Sequence, residues 1–261
     1  MDALLKLLPP VRRIRGNRLY LADGRRLLDL YLDDGHLILG DAEKHSRTYA
    51  RNAAEKGLTR AYPGLYEQRL RKAVLAAWPQ FKAVRFFYNE DRAIMAALRQ
   101  LAGKTAGATM IPLLRPFLAV PAGTALALAR LPCARPFAPG CLLATDPALL
   151  AQIESDPVPP MQFTAATRAL DSLARTDSEG YNEAHWLSFA AIVGEYFHRE
   201  GPYLYPSLTG QKSCNYEDFF RAALAADTLL SPDPQKPCIV PPEFDRGEAQ
   251  KLGRALSQLF C

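Results

Sequence analysis

A carboxamide, two carboxylates and a guanidinium stand side by side at Asn89, Glu90, Asp91 and Arg92. They lie between an apolar run, Val84 to Tyr88, and a stretch in which Ile94, Ala97, Leu98 and Leu101 recur at helical spacing. A strand that turns at once into a helix leaves backbone N–H groups unpaired at the helix start, where negative charge is favoured. Asn89 is placed to cap that helix, and Glu90 and Asp91 in its first turn complement its dipole, so the turn reads as one that carries its own anions. Amines able to form a Schiff base are few, since no lysine occurs between Lys104 in GKTAG and Lys212 in TGQKSCNY. LAGKTAG lacks the first glycine of the P-loop spacing. A catalytic site built on an amine in this region would therefore rest on Lys104 or Lys212.

Other chemistries find less support. His36, His45, His185 and His198 have no paired metal-ligand spacing. Cys133, Cys141, Cys214, Cys238 and Cys261 are odd in number and contain no Cys-x-x-Cys pair, so they read as free thiols and no metal is expected. The net charge is +5, but basic residues such as Arg12, Arg13, Arg15, Arg69, Arg71 and Lys72 are interleaved with acids, so no nucleic-acid partner is expected. MDALLKLLPP is too short and too soon ended by proline to be a signal peptide, and no apolar run reaches membrane-spanning length. The expectation is a cytoplasmic protein without a membrane partner, and 49% hydrophobic residues suffice for a substantial core.

The elements around the turn are legible in part. Alternating apolar residues flank Asp23-Gly24, a hairpin signal because glycine tolerates the positive φ of a tight turn. Leu70, Val74, Leu75 and Trp78 repeat at helical spacing from Glu67 until Pro79 stops them. Short strands are expected at Thr109–Leu114, Gly140–Thr145 and Cys238–Val240, and helices at Met161–Ala174, Glu183–His198 and Tyr216–Ala226, the last capped by Asn215. A final helix has Asp245 as its cap and Glu248 three residues on, with Ala249, Leu252, Leu256 and Leu259 on one face. No internal repeat is found.

Three segments carry a resemblance to a known family: GNRLYLADGRRLLDLYLDDGHLILG, KGLTRAYPGLYEQRLRKAV, and VRFF followed by AIMAALR. In that order they are similar to the amino-terminal part of class III pyridoxal-phosphate aminotransferases, most closely the glutamate semialdehyde aminomutase branch. A weaker match follows through ALDSL, YEDFFRAALAADTLLSPD and the terminal helix. The resemblance implies an α/β fold: a reduced PLP-transferase (fold type I) scaffold. Its small α+β domain is formed by the N- and C-terminal segments, beside a remnant of the large αβα domain. Boundaries are expected at 1–66 for the amino-terminal segment, 67–160 for the remnant of the PLP-binding domain, and 161–261 for the small-domain segment.

The departures from the family bear on function. In the family a Ser-Gly-Thr-Glu-Ala turn binds the cofactor phosphate; here that turn aligns with Asn89, Glu90, Asp91, Arg92 and Ala93, which puts two carboxylates where a phosphate would sit. The stretch corresponding to the Schiff-base lysine, RLPCARPFAPGCLLATDP after AGTALALA, holds no lysine. Asp146 is its sole acid, so no counterpart of the pyridinium-binding carboxylate is seen. About 60 residues separate Arg99 from Pro160, room for about two βαβ units. Of the substrate-side elements, Tyr62, Pro63, Gly64 and Tyr66 persist, residues equally suited to turn and packing roles.

The expectation is a shortened, degenerate aminotransferase-like pseudoenzyme acting in binding or assembly, with no catalytic residues and no cofactor. The alternatives are a PLP-dependent aminotransferase or aminomutase with a rebuilt site, using pyridoxal phosphate, and a small-ligand binding protein. Because the family's active sites lie at dimer interfaces, the resemblance implies a homodimer or a heteromer with an intact aminotransferase subunit. LLRPFLAVPAGTALALARL is the apolar stretch expected to need such cover.

Overall fold

A computed structural model describes residues 3–40, 43–102, 111–176, 180–207 and 215–259. In chain order the elements are β1 (Val11–Arg15), β2 (Arg18–Leu21), β3 (Arg26–Asp29), α1 (Glu43–Glu55), α2 (Leu65–Ala77), β4 (Ala83–Phe87) and α3 (Glu90–Ala102). There follow β5 (Leu113–Leu114), β6 (Leu126–Ala129), β7 (Gly140–Ala144), α4 (Pro160–Thr176), α5 (Glu183–Val193), β8 (Phe197–Glu200) and β9 (Tyr203–Pro206). The chain closes with α6 (Tyr216–Ala225), β10 (Thr228–Leu229), β11 (Cys238–Ile239) and α7 (Arg246–Ser257). It divides into two compact units: residues 1–41 with 177–261, and residues 42–176. Boundaries expected at 66/67 and 160/161 thus fall inside the second unit, because α1 and α2 both pack on α4.

In the first unit β2 and β3 form the hairpin expected around Asp23-Gly24, β1 adds antiparallel to β2, and β10 lies parallel to β3. After β3 the backbone turns left-handed at Leu32 (φ 45°), Asp33 (φ 52°), Asp34 (φ 58°) and Gly35 (φ 89°). Such a run costs about 1–2 kcal/mol per non-glycine residue. The carboxylate of Asp29 braces its entry by accepting the N–H of Tyr31 (2.9 Å) and Leu32 (3.0 Å). The expected helix from Glu183 to His198 ends earlier, at Val193. Gly194 adopts φ 75°, and Phe197–Glu200 instead pairs antiparallel with β9 as a hairpin. Asn215 caps α6 by accepting the Asp218 N–H at 2.9 Å, and Asp245 with Glu248 completes the expected capping box of α7.

In the second unit the sheet order is β4-β7-β6-β5; β7 is antiparallel to both β4 and β6, and β5 is parallel to β6. Alternation along the strands gives it two apolar faces. Val84, Phe86, Cys141 and Leu143 pack with Leu70 and Val74 of α2 and Phe163 of α4, while Phe87, Leu142 and Ala144 pack with Ala93 and Ala97 of α3. The arrangement is helix, sheet, helix. Two expectations are corrected here. Leu98, grouped by helical spacing with Ile94 and Ala97, is exposed, because the side of α3 that meets the sheet is the one bearing Ala93 and Ala97. The LLRPFLAVPAGTALALARL stretch finds much of its cover within its own unit, since it supplies β5 and β6 and buries Leu114, Ala127, Leu128, Ala129 and Leu131.

Among the described residues no helix is long and apolar enough to cross a membrane.

Candidate functional site

β4 runs into α3 through Tyr88 and Asn89. The Asn89 side chain accepts the Arg92 N–H at 3.0 Å, which is the expected cap. Glu90 turns toward the sheet, where one of its carboxylate oxygens meets Arg130 Nη2 at 2.8 Å. Arg130 follows β6 directly and its side chain is 3% exposed. A guanidinium so enclosed requires a negative partner, and the first turn of α3 supplies one.

Arg92 points elsewhere. It forms a two-pronged pair with Asp156, with Nη2 to Oδ1 at 2.6 Å and Nε to Oδ2. The same carboxylate accepts the Tyr88 N–H at 3.1 Å. The hydrogen bond from Arg92 holds the Asp156 carboxyl below its usual range, against the opposing effect of burial. Asp91 is exposed.

The turn also sits directly on the sheet. A Cβ built on Gly140, at the start of β7, would lie 2.1 Å from the Asn89 carbonyl oxygen. Only glycine allows that approach.

Tyr62, Pro63 and Gly64 lie in an exposed connection into α2, Tyr62 being 67% exposed, and Gly64 is the N-terminal cap residue of that helix in ordinary extended geometry. Tyr66, in the first turn, packs against the core of the second unit with the Arg69 guanidinium 5.6 Å from its ring centre. Lys104 and Lys212 lie outside the described residues.

Arg130 and Asp156 are the partners that sequence reasoning missed. A lone arginine closing the apolar run LALA is a usable signal, because a charge at the end of a buried strand needs a counter-ion. Asp156, within a proline-broken stretch, offers no comparable signal.

Helices lie on both faces of the second unit's sheet, and the fold of the chain is like that of the fold type I PLP-dependent transferases. No family model matches the chain. It is 29% identical to a protein of Treponema pallidum described only as uncharacterized, over 88% of each chain. It is 39% identical to the glutamate-1-semialdehyde 2,1-aminomutase of Thermus thermophilus over 94 residues, which are 35% of this chain and 22% of the enzyme. In structure it resembles the ornithine aminotransferase of Toxoplasma gondii, with a TM-score of 0.69 at 9% identity, covering 95% of this chain and 90% of that one. The N-acetylornithine aminotransferase of Stenotrophomonas maltophilia gives 0.66 at 13% identity, covering 95% of each.

Such a fold implies pyridoxal phosphate, and the residues at this turn do not fit it. An anionic phosphate would have to approach Glu90 and Asp91 at a helix start already capped by Asn89. The cation facing the turn, Arg130, is bound to Glu90. No lysine occurs from 105 to 211, a span that includes β6 and the connection after it, to form the Schiff base.

Proposed function

We propose that this chain is a shortened, non-catalytic relative of the class III aminotransferases that acts in binding or assembly, as a homodimer or beside an intact aminotransferase subunit. The observation that carries the reading is the Glu90–Arg130 pair. It puts an internal cation and anion at the turn where the family would hold a phosphate, and the β6–β7 connection contains no lysine. The left-handed turn after β3, the capped helices and the closely packed sheet edge keep the scaffold without requiring chemistry from it. In this reading the protein takes no pyridoxal phosphate and works in the cytoplasm.

The test is spectroscopic. The purified protein incubated with pyridoxal phosphate should show no absorbance band beyond that of the free aldehyde. After borohydride reduction, peptide mass analysis should find at most sparse labelling spread over surface lysines. A stoichiometric pyridoxyl adduct on one lysine, whether Lys104, Lys212 or another, would overturn the proposal in favour of an enzyme with a rebuilt site.

A further inference from the structure

β1 is the terminal strand of the first unit's sheet, and among the described residues no strand pairs with its outer edge. All five of its residues are exposed. In such a strand alternate backbone N–H and C=O groups point away from the partner and stay open to a further strand. Its two faces differ. Val11 and Ile14 stand opposite Leu21 and Leu19, buried residues of β2, and the irregularity between Val11 and Arg13 keeps both on that side. They prolong the core-side face of the sheet beyond its covered part, Val11 being 43% exposed and Ile14 52%. Arg13 and Arg15 stand opposite Tyr20 and Arg18 on the other face, with the Arg13 guanidinium 4.4 Å from the centre of the Tyr20 ring. Arg12, Arg13 and Arg15 make no ion pair among the described residues, whereas Arg18 is taken by Glu248.

The charges select the occupant. A second β1 laid along this edge would set arginine beside arginine, and like charges across a strand pair are unfavourable. The arginines therefore guard the edge against its own kind. They do not close it to an acidic strand, and the exposed Val11 and Ile14 are not what a merely guarded edge would carry. An extended segment that alternates acidic with apolar residues meets each demand at once. Its carboxylates would lie on the side of Arg13 and Arg15, its apolar groups on the side of Val11 and Ile14, and its main chain along the open edge.

We propose that β1 is a docking edge for an extended segment of a partner protein, alternating acidic and apolar residues, which adds to the four-stranded sheet as one more strand. This edge gives the assembly role argued above a partner chemistry. It belongs to a different unit from the Asn89 turn, so a pyridoxyl adduct would overturn the earlier reading and leave this one standing.

The probe is a capped, fluorescently labelled eight-residue peptide alternating glutamate with valine, titrated with the full chain and read by anisotropy. Binding should saturate and should weaken several-fold as salt is raised from about 0.05 to about 0.3 M. Replacing the peptide's valines by prolines keeps its charge but leaves a chain that cannot add to a ladder, and should weaken binding about tenfold or more. Arg13→Glu with Arg15→Glu should lose the glutamate peptide by a similar factor and gain binding of the corresponding lysine–valine peptide, a gain that mere unfolding cannot produce. Ile14→Ser should weaken binding several-fold, with circular dichroism reporting that each variant is folded. Absence of saturable binding, equal binding of the proline peptide, or a charge variant that keeps its affinity for glutamate would each overturn the proposal. Tighter binding of anionic vesicles or single-stranded DNA than of the peptide would overturn it as well, by showing that charge alone is recognised.

Discussion

Asp29 and Glu90 are both carboxylates drawn into the interior, one in each unit, and they are held by opposite means. Asp29 is enclosed and accepts the backbone N–H groups of Tyr31 and Leu32, at the entry to the left-handed turn. Burial pushes its pKa up to about 6, the two N–H bonds only partly opposing this and the nearby Asp33 adding to it. Glu90 instead meets the guanidinium of Arg130. The first carboxylate braces strained backbone and tolerates a proton; the second neutralises a charge that the interior cannot hold alone. A buried acid can therefore serve conformation or charge balance, and the two roles respond differently to mutation and to pH.

The largest effect is expected at the charge pair. Glu90→Gln leaves the enclosed Arg130 guanidinium without its counter-ion and should lower stability by about 3 kcal/mol. Arg130→Met should cost less, because Glu90 is 22% exposed and can recover hydration. The double change should fall near Arg130→Met alone, a coupling that denaturant titrations of the four proteins would expose. Millimolar phosphate should not rescue Glu90→Gln, since Asn89 still caps the helix. A specific rescue would reveal a latent anion site and would remove the contrast with Asp29.

These two residues also differ in how far the sequence foretells them. The cap at Asn89, the hairpin at Asp23-Gly24 and the box of Asp245 with Glu248 are local devices, written within a few residues and found as expected. The Glu90–Arg130 and Arg92–Asp156 pairs join residues 40 and 64 positions apart, and short-range spacing has no access to such distances. β6 escaped notice because LALA alternates one apolar residue with another, as a strand buried on both faces does. The helix from Glu183 is shorter than its pattern suggests because Gly194 closes it before β8, whose residues continue the same mixed pattern. The left-handed turn after β3 is legible only as a loop bearing a glycine and two aspartates, residue types that tolerate positive φ, while Leu32 gives no sign of it.

The second effect is set by pH. A carboxyl whose folded-state pKa is raised from 3.8 to about 6 binds its proton more tightly folded than unfolded. Its favourable contribution is therefore complete below about pH 4 and is lost as pH rises through about 6. That difference corresponds to at most about 3 kcal/mol, of which roughly half should be recovered by Asp29→Asn, since the amide must place its own N–H₂ where only an acceptor is wanted. Thermal melts should find Asp29→Asn more stable than wild type at pH 8 and equal to it or weaker at pH 4. A gain that is the same at both values would mean that ionisation is not what the mutation relieves.

Asp91 gives the smallest effect and the cleanest control on Glu90, its neighbour in the same helix turn. It is exposed, with no ion pair among the described residues, so within one chain it acts only through the dipole of α3 and the unpaired N–H groups at its start. Such an interaction is worth about 0.3–1 kcal/mol and is screened by salt. Asp91→Asn should therefore lower stability by about 0.5 kcal/mol in dilute buffer and by less in 0.5 M salt. Glu90→Gln should keep most of its cost there, because the Arg130 charge it abandons is screened far less. Tryptophan-fluorescence melts would compare the two. If Asp91→Asn proved as costly as Glu90→Gln, or if salt erased both penalties equally, the enclosed pair would be no more than another surface charge. The distinction between the anion that serves the helix and the anion that serves the sheet would then fail.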